Sequence, residues 1–465
     1  MHRQPLSILV RGVLAACVFL SVSARTGAAI FEQDAVKLPD THAGRCASAF
    51  FEAFCSDNDD VARAFEKKYR AESALQQRSI EQRIEQLHGL REQWPRLVVT
   101  HVVHSAEHEL TLLVQVEPQD ELLEFQFDFE QQPPYGLRGI IITGPVDAAE
   151  ASRPQPPLDA ETRATTIARI IEILEEGYVF PEVAKKMGQA LREHVEAGKY
   201  DDVTNAGVFA ARLSADLQAV CNDRHLQVRA GQMSQRMRSR TEPGDSARVN
   251  YGFVRAERLP GNVGYIKLNM FHASPEAQET AAAALAFVAH CDALIFDLRD
   301  NGGGSPKMIQ FISSYLFAEP THLNSFYHRL ENRTEEFWTS AEIPGKRFVA
   351  DLPVYVLTSG RTFSGAEEFT YNLKHLKRGT IVGETTGGGA HPVTFQKIND
   401  RFSMTVPYAR AVNPITKTNW EGVGVIPHVK VSAEDALDTA RQHAVEQIGK
   451  RRVPADAPAA SEPKG

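Results

Sequence analysis

An excess of positive charge is the first thing this sequence lacks. Its 465 residues carry 51 Lys and Arg against 59 Asp and Glu, a formal net charge of −8, with no long basic run. Nucleic-acid binding is excluded on that ground, because there is no surplus of cations for phosphate contacts. Cysteine is scarce as well. The five, at positions 17, 46, 55, 221 and 291, show no spacing that suggests zinc. Past the first thirty residues no run is long and apolar enough to span a membrane. No internal repeat is found.

What is present reads as an ordinary globular composition, 43% apolar and 24% charged. The length exceeds a single ordinary core and predicts two or three folding units. The start of the chain is different in kind. Arg3 and Arg11 precede an apolar run from Gly12 to Val22, and small residues follow, with Ala24 or Ala29 as cleavage points. This pattern predicts a signal peptide over 1–29 and export to the periplasm or medium. Leu14-Ala15-Ala16-Cys17 also fits a lipoprotein cleavage box, but the apolar stretch continues through Val18, Phe19 and Leu20 where such a box should end it. Cys46 and Cys55 lie close together in an expected helix; they are either paired across a helix end or two buried apolar residues.

Residues 30–143 predict a small α+β domain. Ile80, Ile84, Leu87 and Leu90 recur at helical spacing, and Leu123-Glu-Phe-Gln-Phe-Asp-Phe129 alternates as a strand does. A Pro- and Ala-rich linker is expected over 144–158 and a helical block over 159–250. From 251 to 452 strands and helices alternate, which predicts an α/β layer domain, and 453–465 is expected to be a disordered tail.

Two segments carry chemistry. Val354-Tyr-Val-Leu-Thr-Ser-Gly-Arg-Thr-Phe-Ser-Gly-Ala-Glu-Glu-Phe369 reads as a buried strand, a turn and a helix, with Ser364 where the turn enters the helix. Unpaired N–H groups and the positive helix end favour negative charge there, as an acyl-transfer nucleophile requires. Ser364 with Glu367 three residues on fits a capping box equally. Glu367 and Glu368 otherwise read as first-turn carboxylates favoured by the helix dipole. Ala293-Leu-Ile-Phe-Asp-Leu-Arg-Asp-Asn-Gly-Gly-Gly304 is an apolar strand running into three glycines. Such a turn brings backbone N–H groups close to a ligand, as an oxyanion hole or a phosphate cradle would. Despite Lys307, the Gly-Lys-Ser/Thr order of a phosphate loop is absent.

Asp297-Leu-Arg-Asp-Asn-Gly-Gly-Gly304, Thr362-Phe-Ser-Gly-Ala-Glu367 and Val382-Gly-Glu-Thr-Thr-Gly387 together resemble the tail-specific, or carboxy-terminal-processing, serine peptidases. Within them the similarity is to the branch of the interphotoreceptor retinoid-binding protein repeats and the tricorn protease core. It covers roughly residues 160–430. The resemblance implies a β-spiral-like α/β core of the ClpP/crotonase type with a helical N-terminal subdomain. It implies Ser364 as nucleophile and amides near Gly303 and Gly365 as the oxyanion hole, with no metal and no organic cofactor.

The sequence departs from the family in two places. Gly387-Gly-Gly-Ala390 puts Gly389 where processing peptidases carry a lysine base, and no peptide-binding PDZ insert is visible before the strand at Gly264. Leu217-Gln-Ala-Val-Cys-Asn-Asp-Arg-His-Leu226 resembles the tricorn segment that supplies a histidine, with His225 at that position and Arg224 where a serine would stand. Asn419-Trp-Glu-Gly-Val-Gly-Val-Ile-Pro427 resembles the segment that supplies a glutamate, here Glu421. The expected triad is therefore Ser364, His225 as general base, and Glu421 to orient it. His391 is the rival base, or else a turn residue before Pro392. Glu384 stands open between a structural and a functional role. The substrate expected is a peptide or protein. The competing function is an inactive binder of apolar, retinoid- or fatty-acid-like ligands on the same fold.

Overall fold

The computed structural model describes residues 30–32, 36–117, 121–130, 132–143, 157–231 and 243–452. The expected signal peptide, nearly all of the linker and the terminal tail lie outside them. The chain divides into two compact units, 1–154 and 155–465.

In the first unit, helices α1 (His42–Cys55), α2 (Asp59–Tyr69), α3 (Glu72–Gln77) and α4 (Ile80–Gln93) precede strands β2 (Arg96–Ala106), β3 (Glu109–Glu117), β4 (Glu121–Phe129) and β5 (Leu137–Thr143). The strands form an antiparallel meander, and a short β1 (Ile30–Glu32) adds to β2 in parallel. The meander follows from alternation. Phe125, Phe127 and Phe129 of β4 point one way and are fully buried against Phe50, Phe51 and Phe54 of α1. Ser79 starts α4 through a reciprocal capping box with Gln82. Cys46 and Cys55 are free thiols on the one helix α1. They lie nine positions apart on the helix, a rise of roughly 13 Å and beyond the reach of a disulfide, so the pairing option is corrected.

The second unit opens with α5 (Ala160–Gly177), α6 (Pro181–Glu196) and α7 (Ala206–Cys221), which bury Ile170, Leu174, Met187 and Leu213. A six-stranded sheet follows in the order β17-β13-β12-β9-β8-β7. Its middle strands, β8 (Val263–Leu268), β9 (Ala293–Asp297), β12 (Val354–Thr358) and β13 (Thr380–Gly383), run parallel. The edge strand β7 (Phe253–Leu259) is antiparallel to β8, and β17 (Val429–Lys430) continues β13. Every residue of β9 and β12 is buried, as strands covered on both faces must be.

One face of the sheet is covered by α8 (Pro275–Phe287), α9 (Pro306–Ser314) and α10 (Gly365–His375), whose Leu285, Ile309 and Phe369 join Phe296 and Val356 in one core. The other face meets α11 (Ala436–Arg452) through Ala436, Ala440, Ala444 and Ile448. Three-stranded sheets flank this layer. In one, β10 (His322–His328) lies between β11 (Arg333–Trp338) and β16 (Ala409–Val412). In the other, β15 (Phe402–Pro407) lies between β14 (Val393–Lys397) and β6 (Gln227–Ala230). The α/β reading of this unit holds.

Candidate active site

The site is made by loops leaving neighbouring parallel strands at the same end. Leu357 of β12 pairs with Asp297 of β9, and Val382 of β13 with Leu357. The segments 298–304, 359–364 and 384–391 therefore emerge side by side, which is where open parallel sheets place their ligands. The first two are laced together. Thr362 Oγ1 donates to the Leu298 carbonyl at 2.8 Å, and the Phe363 N–H to the Asn301 carbonyl at 3.0 Å. Asp297, fully buried, takes the Arg299 guanidinium at 2.7 Å and the Tyr265 hydroxyl at 2.6 Å. Arg299 in turn donates to the Ala433 carbonyl at 2.7 Å. The charged pair of the glycine motif thus braces the end of β9.

Ser364 closes the turn into α10 with φ 52° and ψ −121°. A side chain at such positive φ costs on the order of 1–3 kcal/mol, and strain of this kind collects at functional residues. It is also how a nucleophile is lifted out of a strand–turn–helix junction. The N–H of Ser364 donates to Glu367 Oε2 at 2.9 Å, the backbone half of a capping box. That carboxylate does more than cap. Gly388 N–H reaches its Oε1 at 2.6 Å, Gly389 N–H its Oε2 at 2.8 Å, and the Thr386 hydroxyl also donates to Oε1. Glu367 is fully buried. Burial pushes its pKa up, and the four donors work against that.

The glycine turn lies directly on the serine. The position a Cβ would take on Gly303 is 2.8 Å from Ser364 Cβ and 2.8 Å from the Gly365 nitrogen, and Gly303 has φ 112°. Only glycine suits that conformation and that spacing. Gly303 and Gly365 are therefore beside Ser364, as the oxyanion assignment requires. Their amides differ. Gly303 N–H donates to Asn301 Oδ1 at 2.8 Å, whereas Gly365 N–H is the first of α10 and so has no carbonyl within its helix to meet.

On the other side of the loop stands His225. Asn222 ends α7 in the left-handed conformation, φ 53°. Asp223 Oδ1 then accepts the His225 N–H at 3.0 Å, and β6 pairs with β15 from Gln227↔Thr405 onward. The His225 ring packs against Phe363, centroids 4.7 Å apart. Its Cε1 is 2.6 Å from where a Gly389 Cβ would be. Arg224 donates to the Gly387 carbonyl at 2.9 Å and so helps hold the loop. Burial lowers the His225 pKa to about 4, with Asp223 opposing and His391 reinforcing the shift.

Glu421 is brought into the same cluster, one of its carboxylate oxygens lying within 4.8 Å of a ring nitrogen of His225 and of an Asp223 oxygen. Its hydrogen bond, however, is to the Ala390 N–H at 2.6 Å, and its ion-pair partner is His391 Nδ1 at 3.3 Å. His225 Nδ1 and Glu421 Oε1 are both buried without a partner. Burial first, then the Asp223 charge, raises the Glu421 pKa, and His391 draws it back. His391 is buried, with Nδ1 2.8 Å from Asp223 Oδ2 and its ring edge on Phe180. The rival base is thus engaged with two carboxylates. Glu384 accepts the Gly360 N–H at 3.0 Å and the Ala433 N–H at 3.1 Å, which answers its open reading in favour of structure.

Sequence reasoning passed over Asp223 and gave Glu367 only a capping-box or helix-dipole role. Only Asp223's closeness to His225 hinted at its part. Nothing local in the sequence links Glu367 to a loop twenty residues on.

Comparison with known proteins bears on this constellation. Residues 262–431 match the model of peptidase family S41, and residues 160–254 match the model of the N-terminal domain of peptidase S41 in eukaryotic IRBP. Carboxyl-terminal-processing peptidase 2, chloroplastic, of Arabidopsis thaliana is 27% identical over 194 residues, 38% of this chain and 35% of that one. The C-terminal processing peptidase, chloroplastic, of Tetradesmus obliquus is 27% identical over 184 residues, 37% of this chain and 36% of that one. The chain therefore spans little more than a third of the length of these curated relatives. Among solved structures, the photosystem II D1 C-terminal processing protease aligns with TM-score 0.40 and 16% identity, covering 63% of this chain and 98% of its own.

Proposed function

We propose that this chain, whose residues 160–254 and 262–431 match the two peptidase S41 models, is a serine peptidase working through an acyl-enzyme on Ser364. The Ser364 hydroxyl adds to the carbonyl carbon of a peptide bond, and His225 takes its proton as the tetrahedral intermediate forms. His225 returns that proton to the leaving amine, then activates the water that releases the acyl group. Burial keeps the imidazole neutral at neutral pH and ready to accept. Asp223 and Glu421 supply the negative charge that the imidazolium needs once formed. The oxyanion is met by the Gly365 N–H at the positive end of α10, joined by Gly303 when its amide turns from Asn301.

The observation that carries this reading is Ser364 itself: strained, at a strand–helix junction, and tied through Glu367 to the Gly389 backbone on which His225 packs. Export is proposed with it, on the charged and apolar pattern of residues 1–29. No helix among the described residues is long and apolar enough to cross a membrane.

The test is labelling with a fluorophosphonate, comparing wild type with Ser364→Ala. Labelling that depends on Ser364, together with cleavage of a quenched fluorescent peptide, is the expected result. Equal labelling of both proteins, or of neither, overturns it and turns attention to ligand binding.

A further inference from the structure

Asp223, His225 and Glu421 each present one ligand atom, and those three atoms lie within 4.8 Å of one another. Two carboxylate oxygens and an imidazole nitrogen are the donor set of a borderline divalent cation, Zn2+ above all. Bonds of about 2.0–2.2 Å would set tetrahedral ligands roughly 3.4 Å apart, so side-chain adjustment of an ångström or so closes the set. Two atoms of these side chains are also orphans. His225 Nδ1 and Glu421 Oε1 are both buried with no hydrogen-bond partner, a condition rare in folded proteins and costly unless something else meets those lone pairs.

The surroundings suit an ion as well. Asp223 is completely buried and shares the cluster with a second carboxylate. Like charges packed so closely are relieved by a cation between them. Their oxygens are already held, with the His225 N–H 3.0 Å from Asp223 Oδ1. His391 Nδ1 stands 2.8 Å from Asp223 and 3.3 Å from Glu421, the Ala390 N–H 2.6 Å from Glu421, and the Tyr178 hydroxyl 3.4 Å from Asp223. Ligands that are themselves hydrogen-bonded from behind are what a tight metal site needs. Three protein ligands leave a fourth position for water, and Gly389, with no side chain, leaves the ring of His225 unobstructed from its own side.

We propose that Asp223, His225 and Glu421 bind a single Zn2+ ion, and that the ion withdraws His225 from Ser364 and holds the enzyme inactive until it leaves. The binding stands on the geometry alone; its inhibitory consequence rests on the peptidase reading above.

The experiment uses full-length protein stripped by a chelator and dialysed, as wild type, Ser364→Ala, Asp223→Asn and Glu421→Gln. Isothermal titration with ZnCl2 is expected to give one saturable site in wild type and an unchanged one in Ser364→Ala, weakened at least tenfold in the other two. Fluorophosphonate labelling of wild type should fall with zinc occupancy and return with chelator. No one-to-one site, or a site of equal affinity in Asp223→Asn and Glu421→Gln, overturns the proposal. Should those variants fail to fold, Co2+ added to the wild type decides. The strong visible absorption of a four- or five-coordinate ion supports the site, and the spectrum of free Co2+ overturns it. Labelling without zinc binding removes the metal site alone, and zinc binding without labelling of the metal-free protein removes the peptidase reading alone.

Discussion

Gly389 and His225 share one space: a Cβ on Gly389 would sit 2.6 Å from His225 Cε1, and 2.3 Å from Cζ of Phe363. Real Cβ contacts are never so close. The room that a side chain at position 389 would need is thus taken by the rings of His225 and Phe363.

Gly389→Ala follows as a sharp test. The methyl group must push Phe363 and His225 aside. An imidazole displaced by about 1 Å costs roughly 100-fold in rate. Peptide cleavage should fall by that order while circular dichroism stays native. Gly389→Lys should fare no better, because the added amine has no room.

Ser364 can be probed through its backbone. At φ 52° an alanine keeps the Cβ penalty and a glycine does not. Both variants should be inactive, yet Ser364→Gly should be more stable than Ser364→Ala by about 1 kcal/mol, read as a higher urea midpoint. Equal midpoints would mean the turn is unstrained.

The acidic limb of the rate profile should lie low. Burial drops the His225 pKa to about 4, below the usual 6.5, so the base stays unprotonated well into mild acid. The kcat/KM for a fluorogenic peptide should hold as pH falls through 6 and decline only below it. A limb near neutrality would instead make ionisation of Glu421, whose pKa burial raises, the controlling event.

Glu368 gives a stability prediction of definite sign. It is a buried residue of α10, and desolvation lifts its pKa to about 8, with Asn324 opposing. Between the unfolded value near 4.5 and that folded value the native state holds the extra proton, so stability falls as pH rises through this window. Glu368→Gln removes the dependence. The loss of Tm between pH 5 and pH 9 should be smaller in the variant than in wild type.

Much of this was legible beforehand, for identifiable reasons. The strand at 293–297 and the helix at 275–287 declare themselves because full burial and small-residue packing leave few alternatives. Ser364, His225 and Glu421 were named as candidates because each lies in a distinctive local string. The pairing among them was not, since it depends on which of two carboxylates meets which of two rings. The chain reads Asp223, His391 and Glu421 nearly 170 residues apart at the first interval and 30 at the second, and only tertiary contact makes His391 the partner of both acids. Glu367 was read only in part for the same reason. Its helix position predicts the cap to the Ser364 N–H and a dipole role, while its other bonds run to the loop 386–389.

Glu367→Gln tests that role. An amide offers NH2 to groups that are all donors, so the loop 386–389 should loosen. The expected result is a fall in kcat of roughly 100-fold with KM little changed, followed by steady-state kinetics on the same peptide.

Because one carboxylate grips both the turn bearing the hydroxyl and the loop supporting the imidazole, thermal displacements of the two must be correlated. Their separation then fluctuates less than either wanders relative to the sheet. Reaction geometry can survive in a region made of glycines, where each segment taken singly would be among the most mobile of the fold.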